Sequence, residues 1–244
     1  MRARPRRQRA RSMLARLQLG LEALYRVETR LAIDAFVIDD QARDRIRPAR
    51  APREQLLLRE ADGELAMGLF LDAAALANLE RNDPAARLDD GNFADFCLAV
   101  EGVSHFVYVA LAAAHQRPVS QLELELQAEV DKFVCCVLLL RDPQRVPGPP
   151  RWDSGGKAAY VPTRSAGGYP DLRGRLFGQV SYSEDLDAVE RERYRTANQQ
   201  ANRYAAALER RFVTRDETSA LLAEVRRFYR MDLPDKLGRI AQLA

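Results

Sequence analysis

Between residues 92 and 140 the sequence carries two long apolar helical patterns, separated only by residues 116–119, QRPV. Asp90 or Asn92 can cap the first, which is expected to run to about His115, and Pro118 closes it. Ser120 and Glu123 form an S-x-x-E capping box for the second, expected to reach about Leu140. So short a connection makes an antiparallel helix hairpin the natural arrangement. A chain of 244 residues is long enough to bury a core around such a hairpin without covalent staples.

Both helices carry a polar stripe. At about 100° per residue, Glu101, His105, Tyr108 and His115 fall within about 80° of one another, beside Ser104. Apart from Asp95 in the first turn, the rest of that helix is apolar, from Phe93 and Phe96 to Val109 and Leu111. On the second helix Gln121, Glu125, Glu129 and Lys132 share a stripe, while Leu122, Leu126, Val130, Phe133 and Val137 form the buried face. A polar stripe on a buried helix must meet water, another polar stripe or a ligand. If the two stripes meet, Glu101, His105, Glu125 and Glu129 come together. Carboxylates and imidazole can then hold a metal or do acid–base work. The candidate catalytic residues are Glu101, His105 and Tyr108, and the candidate metal ligands are Glu101, His105 and Glu129. Glu125, Glu129 and Trp152 are the candidate ligand-binding residues.

The bland reading competes. Carboxylate-bridged di-iron bundles use Glu-x-x-His from each of two helices, whereas here a single Glu-x-x-x-His occurs. Lys132 or a nearby arginine can pair with Glu125 and Glu129, and Glu101 can pair with His105 one turn on. A structural stripe is therefore the preferred expectation, with no cofactor.

Elsewhere the chain alternates between clear and faint signals. Met13, Leu14, Leu17, Leu21 and Leu24 recur at helical spacing after Ser12, predicting a helix to about Tyr25. A strand is expected within residues 25–39, followed by a polar connection. Two apolar runs in residues 54–72 flank Asp62-Gly63, the signature of a tight β-hairpin. Asp72 can cap a short helix that stops at Asn82. Residues 142–180 hold six of the twelve prolines and seven of the thirteen glycines, together with Trp152, and predict a long loop without helix. Ser181 with Glu184, Thr214 with Glu217, and Pro234 are expected to open three C-terminal helices. The first of these places Leu186, Val189, Ala197, Ala201, Tyr204, Leu208 and Phe212 on one face.

Charge is unevenly placed. Residues 1–20 contain seven arginines and no acid, so a formal net charge of +3 hides a mildly acidic body. Residues 1–12 read as a disordered arm. Its Arg2, Arg4, Arg6, Arg7, Arg9 and Arg11 could contact nucleic acid weakly, through phosphates alone. Cys97, Cys135 and Cys136 lie in apolar helical patterns without metal-ligand spacing and read as buried thiols of a reducing cytoplasm. No run of about 18 apolar residues suggests a membrane span. The DSGGK of residues 153–157 lacks the spacing of a phosphate loop, and neither GxSxG nor HExxH occurs.

These readings predict a predominantly helical α+β fold. An N-terminal β-hairpin or small antiparallel sheet packs on a helical bundle built around the central helix hairpin. Residues 13–244 form a single domain. The expected role is that of a non-enzymatic cytoplasmic protein that binds another protein. The alternatives are an enzyme or small-ligand or metal binder using the Glu101/His105 stripe against Glu125/Glu129, and a nucleic-acid-associated protein using the arginine arm.

Overall fold

A computed structural model of the chain describes residues 12–46, 52–61, 63–141, 171–178 and 186–243. The fold is predominantly helical α+β with a small mixed sheet. The arginine arm, Trp152, the Ser181/Glu184 pair and most of the glycine- and proline-rich stretch lie outside the described residues.

Helix α1 (Met13–Tyr25) starts where Ser12 accepts a hydrogen bond from the Ala15 amide at 3.0 Å. Its apolar stripe, with Leu14, Leu17 and Leu21, is buried. A 3₁₀ turn (Ile33–Ala35) and the two-residue strand β1 (Val37–Ile38) follow. The connection after β1 is not simply polar coil, because Asp40–Ile46 forms helix α2. The Arg43 guanidinium of α2 lies 4.1 Å from the Phe70 ring centre, and this cation–π contact gives a short polar helix something to pack on.

Strands β2 (Glu54–Ala61) and β3 (Glu64–Leu71) form the hairpin expected from Asp62-Gly63. Gly63 takes φ +78°, a conformation that favours glycine and that the turn requires. The sheet is not wholly antiparallel: β1 adds to β3 in parallel, giving the order β1-β3-β2. The chain reaches β2 only after crossing through α2, so β1 and β2 occupy opposite edges of β3.

Asp72 caps α3 (Ala73–Arg81) through the Ala74 amide at 2.7 Å. Helices α4 (Phe93–Ala114) and α5 (Gln121–Arg141) are the two long central elements. Asn92 precedes α4 without capping it by its side chain. It instead donates to the carbonyls of Asn82 and Arg87, tying the incoming loop together. Side-chain bonds join Glu101 to Lys132, Ser104 to Asp131 and Tyr108 to Glu123. Numbers rise along α4 as they fall along α5, so the two helices run antiparallel. By length and composition α4 could cross a membrane, and 72% of its most apolar window is buried inside the protein. Glu101, Ser104 and His105 interrupt its apolar run, which is why a search for unbroken apolar residues passes over it.

Residues 171–178 depart from the expected loop. They are helical, ending in a π-helical turn (Gly174–Gly178), and bury Leu172, Leu176 and Phe177. Phe177 meets Phe133 of α5 with ring centres 6.4 Å apart. Asp171 accepts from the Gly174 amide at 2.8 Å, so one capped turn forms despite the glycines on either side.

The C-terminal helices are α6 (Ala188–Leu208), α7 (Thr218–Tyr229) and α8 (Leu233–Leu243). A π-helical turn (Glu209–Val213) extends α6. Within the described residues α6 is opened by a capping box of Asp187 and Glu190. That box fixes the phase of the first turn and leaves Val189 75% exposed, not on the packed face as its apolar character suggests. No side-chain cap bond opens α7 at Glu217, and Thr214 instead donates to the Arg210 carbonyl.

Candidate functional site

The two polar stripes meet. His105 on α4 lies between two carboxylates, with Nδ1 3.5 Å from Glu54 Oε1 of β2 and Nε2 3.6 Å from Glu125 Oε2 of α5. One turn away, Lys132 Nζ donates to Glu101 Oε2 and Glu129 Oε1, both at 2.9 Å. Four acidic and two basic side chains thus form one cluster, in which His105 and Glu54 retain only 9% side-chain exposure. His105 does not take Glu101 as its direct partner, as helical spacing alone suggests. Lys132 holds Glu101, and the sheet supplies the other carboxylate.

Burial and charge pull these groups in opposite directions. Burial disfavours the His105 imidazolium, but Glu125 and Glu54 outweigh it and hold the ring protonated well above the usual imidazole range. Lys132 follows the same logic: burial lowers it, while Glu101 and Glu129 raise it well above its ordinary value. Burial raises Glu54, with His105 offsetting only part of the effect. Burial likewise raises Glu129 against the pull of Lys132. For Glu101 burial pushes upward, yet Lys132 and His105 together bring it below the ordinary carboxylate value.

The cluster is not fully satisfied. Glu54 Oε1, His105 Nε2 and Glu129 Oε2 are buried without a hydrogen bond. The two His105 contacts are also longer than the roughly 2.7–2.9 Å of a close charged pair. Among the described residues no three His, Cys, Asp or Glu side chains stand in metal-binding geometry. Lys132 occupies the position between Glu101 and Glu129 that a cation would take.

Tyr108 belongs to a second network on the α4–α5 interface. Its hydroxyl donates to Glu123 at 2.6 Å and accepts from Lys236 Nζ of α8 at 2.7 Å. Lys236, fully buried, also donates to Gln127 Oε1 at 2.8 Å. Asp131 accepts from Ser104 at 2.6 Å, from Gln127 at 2.8 Å and from the Tyr25 hydroxyl of α1. Burial lowers Lys236 to about 7, against the pull of Glu123 and Asp131. Burial raises Asp131 to about 6, against its three hydrogen bonds. Half of the expected capping box survives here. The Glu123 amide donates to Ser120 at 3.1 Å, but the Glu123 carboxylate is taken by Tyr108 and Arg117. His115, the remaining stripe residue, is exposed at the end of α4 with Nδ1 2.7 Å from the Leu111 carbonyl oxygen.

Glu54, Asp131 and Lys236 are absent from the sequence-derived candidates. Lys236 carried a signal, since it lies in the apolar phase of its helix, where a charged residue needs a buried partner. Asp131 carried a weaker one, since it lies about 140° from the centre of the Leu126/Val130/Phe133 face. Glu54 carried none, because only tertiary packing brings the start of β2 to α4. No protein-family model, characterised protein or solved structure matches the chain.

Proposed function

We propose that the protein is a non-enzymatic, cytoplasmic binding protein that docks an extended segment of another polypeptide along β2. The reading treats residues 13–244 as one domain with the sheet seated on the helix hairpin. It rests on one observation. β2 is eight residues long and lies at the end of the strand order, hydrogen-bonded to β3 alone among the described residues. Edge strands of this length take up added strands through main-chain bonds.

The register identifies the available groups. The Asp72 amide donates to the Arg53 carbonyl at 2.7 Å, so that facing pair is hydrogen-bonded, and pairs alternate along an antiparallel ladder. Leu56, Leu58 and Glu60 therefore direct their main-chain groups toward the free edge. Leu58 is 48% and Leu65 37% exposed, on one face of the hairpin. The fitting partner is an extended peptide with apolar residues at alternate positions and an acidic residue to meet Arg59.

The test is selection of displayed random peptides on the wild-type protein, followed by titration of the selected peptides against Leu58→Pro. That substitution removes an outward amide and leaves the β2–β3 bonds in place. Supporting results are peptides of this pattern whose affinity falls at least about tenfold in a variant with unchanged circular dichroism. Peptides that bind both proteins equally, or no selected peptide, refute it.

A second reading is favoured by the three unsatisfied buried atoms, Glu54 Oε1, His105 Nε2 and Glu129 Oε2. In that reading the Glu101/His105 and Glu125/Glu129 stripes take a small polar ligand or cation. Calorimetric titration with zinc, manganese and magnesium salts, against wild type and His105→Gln, tests the cation form. Saturable heat lost in the variant supports it, and identical traces refute it.

A further inference from the structure

Cys97 and Cys136 stand opposite one another across the α4–α5 hairpin. Glu101 and Lys132 are bonded at 2.9 Å across that interface. Cys97 lies one turn before Glu101 on α4, and Cys136 one turn after Lys132 on α5. In an antiparallel pair those two steps run in the same direction, so both sulfurs arrive at the next layer of the same seam. Their side chains are close enough there for Cys97 to raise the Cys136 thiol. Cys135, adjacent in sequence, is carried about 100° further round the helix and lies closer in phase to Asp131.

The two sulfurs differ in access. Cys97 is half-buried, whereas Cys136 is fully buried. Burial and Cys97 push the Cys136 thiol well above its ordinary range, and the Lys132 ammonium one turn away offsets only part of that. A partly accessible sulfur with an enclosed neighbour is the arrangement of an attacked and a resolving cysteine.

We propose that Cys97 and Cys136 form an intramolecular, peroxide-driven disulfide that locks α4 to α5. Hydrogen peroxide is the oxidant. The Cys97 sulfur attacks one peroxide oxygen, the O–O bond breaks, and a sulfenic acid and one water result. The Cys136 sulfur then displaces the hydroxyl from Cys97. The S–O bond breaks, the S–S bond forms, and the Cys136 proton leaves with the hydroxide as a second water. Two thiols lose two electrons to one peroxide. Of the three thiols in the chain, Cys135 alone remains. The link adds a covalent constraint beside the charged cluster and is independent of the β2 docking reading.

The test treats the full-length protein with hydrogen peroxide under native conditions and compares it with Cys97→Ser, Cys136→Ser and Cys135→Ser. The readouts are free-thiol count, intact mass without reductant, and non-reduced peptide mapping. Wild type and Cys135→Ser should each lose two thiols and become lighter by two hydrogen atoms. Both should yield one linked pair of peptides containing residues 97 and 136, and a reductant should reverse the change. The other two variants should form no internal link. A link to Cys135, disulfides formed only between chains, irreversible oxidation of Cys97 without a link, or unreacted wild type would each overturn the proposal.

Discussion

Lys236 shows how much a single buried charge can govern. Its amine is enclosed by Tyr108, Gln127 and the ring of Phe228, and burial lowers it from 10.5 to about 7. A cation whose folded value is depressed is destabilising while both states are protonated, which here means below about pH 7. The penalty fades as pH rises toward 10.5, so this group makes the protein more stable between those limits, by on the order of 5 kcal/mol. His105 acts oppositely above pH 6.5, because its folded value is raised. The clean measurement is therefore a difference: urea unfolding of wild type and Lys236→Met across pH 6 to 10. The gap between the two curves should move in favour of wild type as pH rises, and a constant gap would contradict the assignment. Asp131, raised from 3.8 to about 6, gives the complementary result in acid. Its contribution should fall between those values, and Asp131→Asn should remove most of that slope.

At the scale of elements, the helix hairpin and the sheet meet at Gly102. A Cβ there would stand 3.1 Å from Glu54 Cγ and 3.2 Å from both Glu54 Oε1 and Leu69 Cδ1. Gly102 thus lets β2 and β3 approach α4 closely enough for Glu54 to reach His105. Gly102→Ala should cost about 1–3 kcal/mol through overpacking, despite alanine's better helix propensity. Equilibrium unfolding that showed a gain would mean that the sheet yields easily. On the other helix Phe133 is 2% exposed, and Phe133→Ala should cost about 3–5 kcal/mol by the same measurement.

These elements also mark where sequence reading succeeds. α1, the β2–β3 turn, α3 and the α4–α5 pair are legible because periodicity, caps and one positive-φ glycine all act within a few residues. α2 and the turn at residues 171–178 are not, and for β1 only the presence of a strand within residues 25–39 is legible, not its position or its parallel pairing. Each is short, and each owes its order to a distant partner such as Phe70, Leu69 or Phe133. The site divides similarly. Glu101, His105, Glu125 and Glu129 are legible as stripes, whereas Glu54 is not, because its place depends on the packing of β2 against α4.

For the whole molecule, the separation of charge along the chain gives a direct prediction. Deleting residues 1–12 removes six arginines and turns a formal charge of +3 into −3. Binding of a fluorescent oligonucleotide should then largely disappear at low salt, as phosphate contacts made by an arginine arm require. Retained tight binding with sequence preference would instead place a nucleic-acid surface on the body.

Sheet and helices are held together at His105, a charged strut between Glu54 of β2 and Glu125 of α5. Its contribution to stability is present below the ordinary imidazole pKa and is lost as pH rises through the raised folded value. The most direct test is an NMR titration of the His105 ring in the native protein, with the signal assigned by its absence in His105→Gln. The ring should stay protonated well above pH 6.5, and should lose part of that elevation in Glu125→Gln. A ring that deprotonates at or below 6.5, unaffected by Glu125→Gln, would contradict the strut and with it the closed arrangement of the two stripes.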